Sequence, residues 1–83
     1  MSILSDAIEK GIDEAKGFAE AAEASGEHRV KVGFCISAIQ ELAIVKSQSK
    51  RLKPSLVKRG VQAMIEVEEQ RVAWILLKAI SGD

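Results

Sequence analysis

The chain has 83 residues, twelve basic and twelve acidic side chains, no net charge and a hydrophobic fraction of 47%. This length predicts a single domain, and the apolar content argues against a disordered segment. A lone domain of this size buries only about 60% of its unfolded surface, so a monomer is expected to be marginally stable. A membrane-spanning helix is not expected, because it needs a run of ~20 apolar residues that the sequence lacks.

The balanced charge is unevenly distributed along the chain. Residues 1–27 carry seven acids and two bases, residues 28–59 eight bases and one acid, and residues 60–83 four acids and two bases. Six of the twelve bases fall within residues 46–59, which contain no acid. We call residues 46–59 the basic segment. Its charge predicts either a solvated corner of the fold or a surface that binds a negative partner.

The first segment is predicted to form a helix over about residues 3–25. Small or apolar residues recur there at spacings of four and three, as on one face of an amphipathic helix: Leu4, Ile8, Gly11, Ala15, Phe18 and Ala22. Gly11 lies on this face, where a missing side chain either lets another helix approach closely or is merely tolerated. Gly26 is expected to end the helix in a left-handed conformation.

The second segment is predicted to form a helix over about residues 27–53, although its start is ambiguous. Residues 29–37 include an alternation of apolar and polar side chains that is typical of a strand. Val32, Cys35, Ile39 and Leu42 instead follow helical spacing. A single strand would have no partner within the chain, which favours the helix. Pro54 ends it, because proline disfavours helical geometry at the residue before it.

The third segment is predicted to form a helix over about residues 55–80. One row at helical spacing is expected to face the core: Val57, Val61, Met64, Glu68, Val72, Ile75 and Ala79. Glu68 interrupts this row, so we expect a basic partner or an opening to water beside it.

These elements predict an all-α fold, a three-helix antiparallel unit with short links. Residues 72–77 are six consecutive apolar residues, so the third helix is apolar around its whole circumference. One face can meet the first two helices, and the opposite face would otherwise expose an apolar patch. We therefore expect the unit to pair into a symmetric dimer.

Motifs for catalysis, metals and cofactors are not found in the sequence, which argues against an enzyme. His28 and Cys35 are the only strong nitrogen and sulfur candidates, and seven helical residues separate them by ~10.5 Å along the axis. Zinc bonds are only ~2.0–2.3 Å long, so the two residues cannot share one zinc ion. Cys35 is expected to be a small core residue. We expect no catalytic residue, no cofactor and no metal.

The sequence favours a non-enzymatic interaction protein, an adaptor, assembly factor or inhibitor, that binds itself and another protein. Size and balanced charge are typical of small bacterial or phage-encoded proteins of this kind. The alternative is a nucleic-acid-binding protein that uses the basic segment, which lacks aromatic residues for base stacking. Residues expected to bind a partner are Arg51, Lys58, Arg59, Lys50 and Trp74. A single cysteine and the lack of a signal peptide pattern predict a cytoplasmic protein.

The basic segment has a structural interpretation as well. In an antiparallel three-helix unit it lies beside the start of the first helix, which carries Asp6, Glu9, Asp13 and Glu14. We expect these acids, or the same acids of a dimer mate, to compensate Lys46, Lys50 and Lys53 in part, whereas Arg51, Lys58 and Arg59 have no evident internal partner. A solvated or internally compensated corner is therefore the first expectation for this segment, ahead of an acidic protein partner and then nucleic acid.

Overall fold

The computed structural model describes residues 3–82, and within them the chain forms three α-helices: α1 (Ile3–Ala24), α2 (His28–Ser49) and α3 (Leu56–Ser81). The helices lie side by side in one rod-shaped unit of 42 × 18 × 16 Å, as the predicted helix lengths require. The ambiguous residues 29–37 are helical, which confirms the preferred interpretation. The all-α, three-helix prediction is confirmed.

One apolar core runs between the helices. It is built mainly from small and aliphatic side chains: Ile8, Ile12, Ala15, Ala19, Ala22, Cys35, Ala38, Leu42, Val45, Ile65, Val72 and Ile75. Phe18 of α1 and Phe34 of α2 pack against this core, with ring centroids 6.4 Å apart. Small side chains let the helices lie close together, so the core fills without large aromatic residues.

The predicted face of α1 is the buried face. Gly11 on that face is buried, and a methyl group built onto it would overlap a γ-methyl group of Val45 on α2. Gly11 therefore marks a close approach of α1 to α2, one of the two alternatives that the sequence left open. Gly17, by contrast, has open space where its side chain would be.

The second helix ends four residues earlier than predicted, at Ser49. Arg51 and Leu52 donate backbone hydrogen bonds to residues three positions earlier, so the chain tightens into a turn before it reaches Pro54. The buried Ser49 hydroxyl donates to the Lys46 carbonyl at 2.7 Å, which satisfies one of the free carbonyl groups at the helix end. The link between α2 and α3 is therefore residues 50–55, longer than expected.

The third helix has well-defined ends. Ser55 is its N-cap, and its hydroxyl accepts a hydrogen bond from the backbone N–H of Lys58 at 3.2 Å. Gly82 ends the helix in the left-handed conformation, with φ of 81°. The left-handed stop predicted at Gly26 is wrong, since Gly26 does not have a positive φ. Instead, the hydroxyl of Ser25 accepts a hydrogen bond from the backbone N–H of Glu27 in the link between α1 and α2.

The buried row of α3 differs from the predicted row at its start. Val61, Glu68, Val72, Ile75 and Ala79 lie on the core side as expected, together with Ile65. Val57 and Met64 are 65% and 45% exposed. Both line an open groove between α1 and the start of α3, so at this end the neighbouring helix does not cover them. Within the described part of the chain, no helix has the apolar length that a bilayer crossing requires.

Candidate functional site

The end of the molecule formed by the α2–α3 link gathers five cationic side chains, which we call the basic corner: Lys50, Arg51, Lys53, Lys58 and Arg59. The Ser55 cap starts α3 immediately after the link, so Lys58 and Arg59 lie in the first turn of the helix. Lys58 folds back over the link, and its Nζ donates to the Lys50 carbonyl at 3.4 Å. Four of the residues predicted to bind a partner are thus brought together at one end of the protein.

The basic corner has no direct ion pair. Among residues 3–82, no carboxylate oxygen lies within 4.0 Å of any of these five cationic groups. Lys46 is compensated, but by Glu69 of α3 at 3.4 Å rather than by the acids of α1. The partial compensation of Lys46, Lys50 and Lys53 that we expect from the start of α1 therefore involves no direct ion pair within residues 3–82. The acids Asp6, Glu9, Asp13 and Glu14 line a surface cleft of their own on α1.

An apolar groove of about 520 Å³ opens beside the basic corner. It lies where the first half of α1 and the start of α3 diverge, and the link closes one side: its lining is Ser5, Ile8, Glu9, Ile12, Leu52, Val57, Val61 and Met64. Most of this lining is aliphatic, with one carboxylate, Glu9. The groove therefore offers apolar contact next to a cluster of uncompensated positive charge.

A second surface follows the length of α3 on the side turned away from the core. Eight exposed residues recur there at spacings of four and three, and we call them the outer stripe: Leu56, Gly60, Ala63, Val67, Gln70, Trp74, Leu77 and Ser81. The four large apolar members are strongly exposed: Leu56 by 82%, Val67 by 61%, Trp74 by 60% and Leu77 by 58%. The Lys78 ammonium lies 5.2 Å from the centre of the Trp74 ring, a cation–π contact.

The structure separates the predicted site residues into these two surfaces. Trp74 lies fifteen residues beyond Arg59 on the same helix, or ~22 Å along its axis. Its side chain is 60% exposed, so Trp74 is not a core residue. Sequence reasoning missed Leu56, Val67 and Leu77 as members of the same surface. The sequence pattern that could have revealed them is a second row of residues in α3, which alternates by four and three residues on the side opposite the buried row.

His28 and Cys35, the two chemical candidates, lie in different surroundings. Cys35 is fully buried, and burial raises the pKa of its thiol, although the charge of Lys31 opposes the shift. A protonated, buried thiol is a poor nucleophile. His28 is exposed at the first residue of α2. In the described part of the chain, no group of three or more His, Cys, Asp or Glu residues could hold a metal ion.

Glu68 has the basic partner that its place in the apolar row predicted. It is 6% exposed, and its Oε1 lies 3.6 Å from Nη1 of Arg71. Arg71 also donates from Nε to Glu23 of α1 at 2.7 Å, and this hydrogen bond raises the pKa of the guanidinium. The arrangement joins α3 to α1 and keeps a positive charge beside a buried carboxylate. Its role is structural.

The chain was also compared with known proteins. No protein-family model matches it, and no curated protein sequence or solved structure is significantly similar to it. The molecule thus offers two surfaces for binding: a corner of uncompensated cations beside an apolar groove, and an apolar stripe along the outside of α3.

Proposed function

We propose that this chain is a non-enzymatic interaction protein that acts by binding other proteins, as an adaptor, an assembly factor or an inhibitor. The outer stripe is the observation that carries this proposal. Monomeric proteins scatter exposed apolar residues singly, whereas contiguous apolar surface marks interaction sites. Here four large apolar side chains line one face of one helix, and Trp74 belongs to the residue types that dominate interface energetics.

The proposal includes a symmetric homodimer as the working unit. Of the six consecutive apolar residues at positions 72–77, Val72 and Ile75 are buried and Leu76 is half-buried, while Ala73, Trp74 and Leu77 remain exposed. The core of one chain therefore uses only one face of an all-round apolar helix. A second copy would remove the other face from water and add buried surface to a domain that is small on its own.

The basic corner and the apolar groove would then bind a different protein. Arg51, Lys58 and Arg59, with Lys50 beside them, have no carboxylate partner among residues 3–82. The adjacent groove would take an apolar side chain, so the partner that fits carries an apolar anchor flanked by acidic residues. A cytoplasmic location is part of the proposal and is supported by the single, unpaired cysteine.

Nucleic-acid binding through the basic segment is the second candidate, and the lack of internal ion pairs at the basic corner favours it. Five cations in one corner could neutralise phosphates. The corner and the groove contain no aromatic side chain on which a base could stack, and the groove is lined by aliphatic residues that phosphates would not contact. An acidic protein surface therefore fits both features better than a nucleic acid does.

Charge reversal at the basic corner separates these two functions. Arg51, Lys58 and Arg59 are changed together to Glu, and Lys10, Lys16 and Arg29 are changed to Glu as a control of equal charge outside the basic segment. Partners are recovered from native lysate with and without nuclease, and binding is repeated with purified components across salt concentrations. Phosphate binding weakens steeply with salt because counterions are released. An acidic protein partner at the same cations also weakens with salt, but its apolar anchor in the groove keeps part of the affinity.

The expected result is a protein partner that survives nuclease, binds the control variant and is lost from the corner variant. Submicromolar binding of wild type to DNA or RNA near physiological salt, lost in the corner variant alone, would make nucleic acid the function. A partner that binds both variants equally would show that the basic corner is only a solvated part of the fold.

A further inference from the structure

The third helix carries two parallel rows of residues with coiled-coil spacing. The core row is Val61, Ile65, Glu68, Val72, Ile75 and Ala79, and the outer stripe repeats the same alternation of four and three residues. At 100° of rotation per residue, the outer stripe is centred ~150° around the helix from the core row. The first row packs against α1 and α2, whereas the large apolar residues of the second row, Leu56, Val67, Trp74 and Leu77, are exposed in the single chain.

The spacing of the outer stripe specifies the shape of its partner. Apolar positions that alternate by four and three residues form the seam along which two helices pack with interlocking side chains. Five consecutive spacings from Leu56 to Trp74, of 4, 3, 4, 3 and 4 residues, keep this seam on one face along most of α3. A globular surface or a strand would contact only part of it, so the occupant that fits is another long helix.

Side-chain size changes along the outer stripe from one end to the other. Gly60 and Ala63 are small and lie in the first half of α3, whereas Trp74 and Leu77 are large and lie in the second half. If two copies of α3 run antiparallel with their midpoints aligned, Leu56, Trp74 and Leu77 each face a small residue, and Val67 faces Gln70 at the centre. The layers are Gly60 with Leu77, Ala63 with Trp74, Val67 with Gln70 and Leu56 with Ser81.

A parallel pair of the same helices fits poorly. Trp74 would face Trp74 and Leu77 would face Leu77, while Gly60 would face Gly60 at the other end. Close packing needs large residues opposite small ones, so a parallel pair would crowd one end and leave a gap at the other. The size order along the stripe therefore selects the antiparallel arrangement.

Charge gives an independent reason for the same arrangement. The basic corner lies at the start of α3, and a parallel pair would place ten uncompensated cations of two corners side by side, five from each chain. An antiparallel pair puts the corners at opposite ends, ~39 Å apart along a 26-residue helix. One contact favours the parallel pair, since Glu66 would face Arg71. Arg71 is already bonded to Glu23, however, and exposed ion pairs contribute little.

We infer that a second copy of this chain covers the outer stripe, with the two α3 helices antiparallel and Val67 and Gln70 flanking the twofold axis. This inference rests on the homodimer of the proposed function and adds its face, direction and register. Because the stripe is shared equally, the contact is self-complementary and closes at two copies. The two basic corners then point outward from the ends of the dimer and can engage two partners.

Engineered disulfides test the direction and register. Gly60→Cys and Leu77→Cys are made in separate chains, each with Cys35→Ala so that one thiol remains. The Gly60 position has open space within the single chain, so the new side chain does not disturb the fold. The two variants are unfolded together, refolded as a mixture, oxidised with oxidised glutathione and analysed by non-reducing mass spectrometry. Each variant is also oxidised alone, and sedimentation gives the mass of every sample.

The antiparallel register predicts a disulfide between the two different chains in the mixture and almost none in either variant alone. In this register the Gly60 positions of the two copies lie ~26 Å apart along the helix axis. Disulfides need α-carbons about 4.4–6.8 Å apart, so self-linking is prevented. We expect at least a tenfold excess of the mixed species over both self-linked species.

Three other outcomes would overturn the inference. Self-linked chains in the separate samples would show a parallel pair. A dimeric mass without disulfides would show that a different face is covered, and this result would leave the proposed homodimer standing. A monomeric mass for wild type and both variants would remove the second copy altogether, whereas the binding of a different protein at the basic corner is decided separately by charge reversal.

Discussion

Gly11 on α1 lies against Val45 on α2 so closely that a methyl group added to Gly11 would overlap a γ-methyl group of Val45. The contact explains a glycine in the middle of a helix, where it weakens the helix by about 1 kcal/mol relative to alanine. Because Gly11 has no side chain, the backbones of α1 and α2 can lie close together at this point. The first prediction follows from the contrast between this glycine and Gly17.

Gly17→Ala is expected to stabilise the protein by up to about 1 kcal/mol, because the new methyl group enters open space. Gly11→Ala gains the same helix propensity but overfills the core, at a cost of about 1–3 kcal/mol, so its net effect is destabilising. Urea unfolding of both variants gives the two free energies. Val45→Ala should remove part of the loss when combined with Gly11→Ala. Equal stabilisation by both substitutions would contradict the close packing of α1 on α2.

Glu68 gives the second prediction, because it is a buried carboxylate that depends on Arg71. Arg71→Ala leaves that carboxylate without its cation, and we expect a loss of about 1–3 kcal/mol in the free energy of unfolding. Lys46→Ala breaks an exposed ion pair with Glu69 and serves as the control, with an expected change of about 0–1 kcal/mol.

A second substitution, at Glu68, should restore the stability that Arg71→Ala removes. Glu68→Leu continues the apolar row of α3, so adding it to Arg71→Ala should restore most of the lost stability. Denaturant unfolding of the double variant measures the recovery. No recovery would mean that Arg71 stabilises the fold through Glu23 alone rather than by compensating Glu68.

The fold could largely be predicted from the sequence because burial follows the periodicity of the helices. The apolar face of α1, the helical residues 29–37 and the basic partner of Glu68 all follow from spacing and from the cost of burying an unpaired charge. The end of α2 could not be predicted in this way. The side chain of Ser49 and two backbone hydrogen bonds tighten the chain before Pro54, and neither has a distinct sequence pattern.

The candidate site could be predicted only in part. The basic segment was visible as a run of charge. Which of its cations form ion pairs depends on which helices face each other, and only the contact between α2 and α3 pairs Lys46 with Glu69. Val57 and Met64 are exposed because α1 and α3 diverge at one end of the molecule. The spacing of apolar residues in the sequence does not show how far two helices diverge. The outer stripe was present in the sequence as a second row, although only Trp74 was singled out.

Cys35 provides a prediction about pH. Burial raises the pKa of its thiol above the ordinary value of 9.0, so the folded state holds the proton more tightly than the unfolded state does. The contribution of the protonated thiol to the free energy of unfolding is fully present below the thiol pKa of the unfolded state. It is lost as the pH rises through the thiol pKa of the folded state. Unfolding free energies of wild type and Cys35→Ala should therefore converge or cross as the pH rises above the ordinary thiol pKa of 9.0.

The thiol itself can be measured under the same conditions. Cys35 should react with a disulfide reagent at neutral pH only slowly in the folded protein and rapidly in urea, because the side chain is fully buried. Alanine at His28 or at Cys35 should leave partner binding intact. If either variant keeps its fold but loses partner binding, the substituted residue has a chemical role in binding, which would contradict the proposal that the two surfaces alone bind partners.

Sedimentation equilibrium of wild type, Trp74→Glu and Ile44→Glu at micromolar concentration tests the central claim most directly. Trp74 belongs to the outer stripe, whereas Ile44 is comparably exposed, at 53%, but lies on α2. Loss of an aromatic interface anchor costs about 2 kcal/mol or more, and each dimer contains two copies of it. The account predicts a dimeric mass for wild type and Ile44→Glu and a monomeric mass for Trp74→Glu with its helical content unchanged. A monomeric wild type, or a Trp74→Glu variant that remains dimeric, would contradict it.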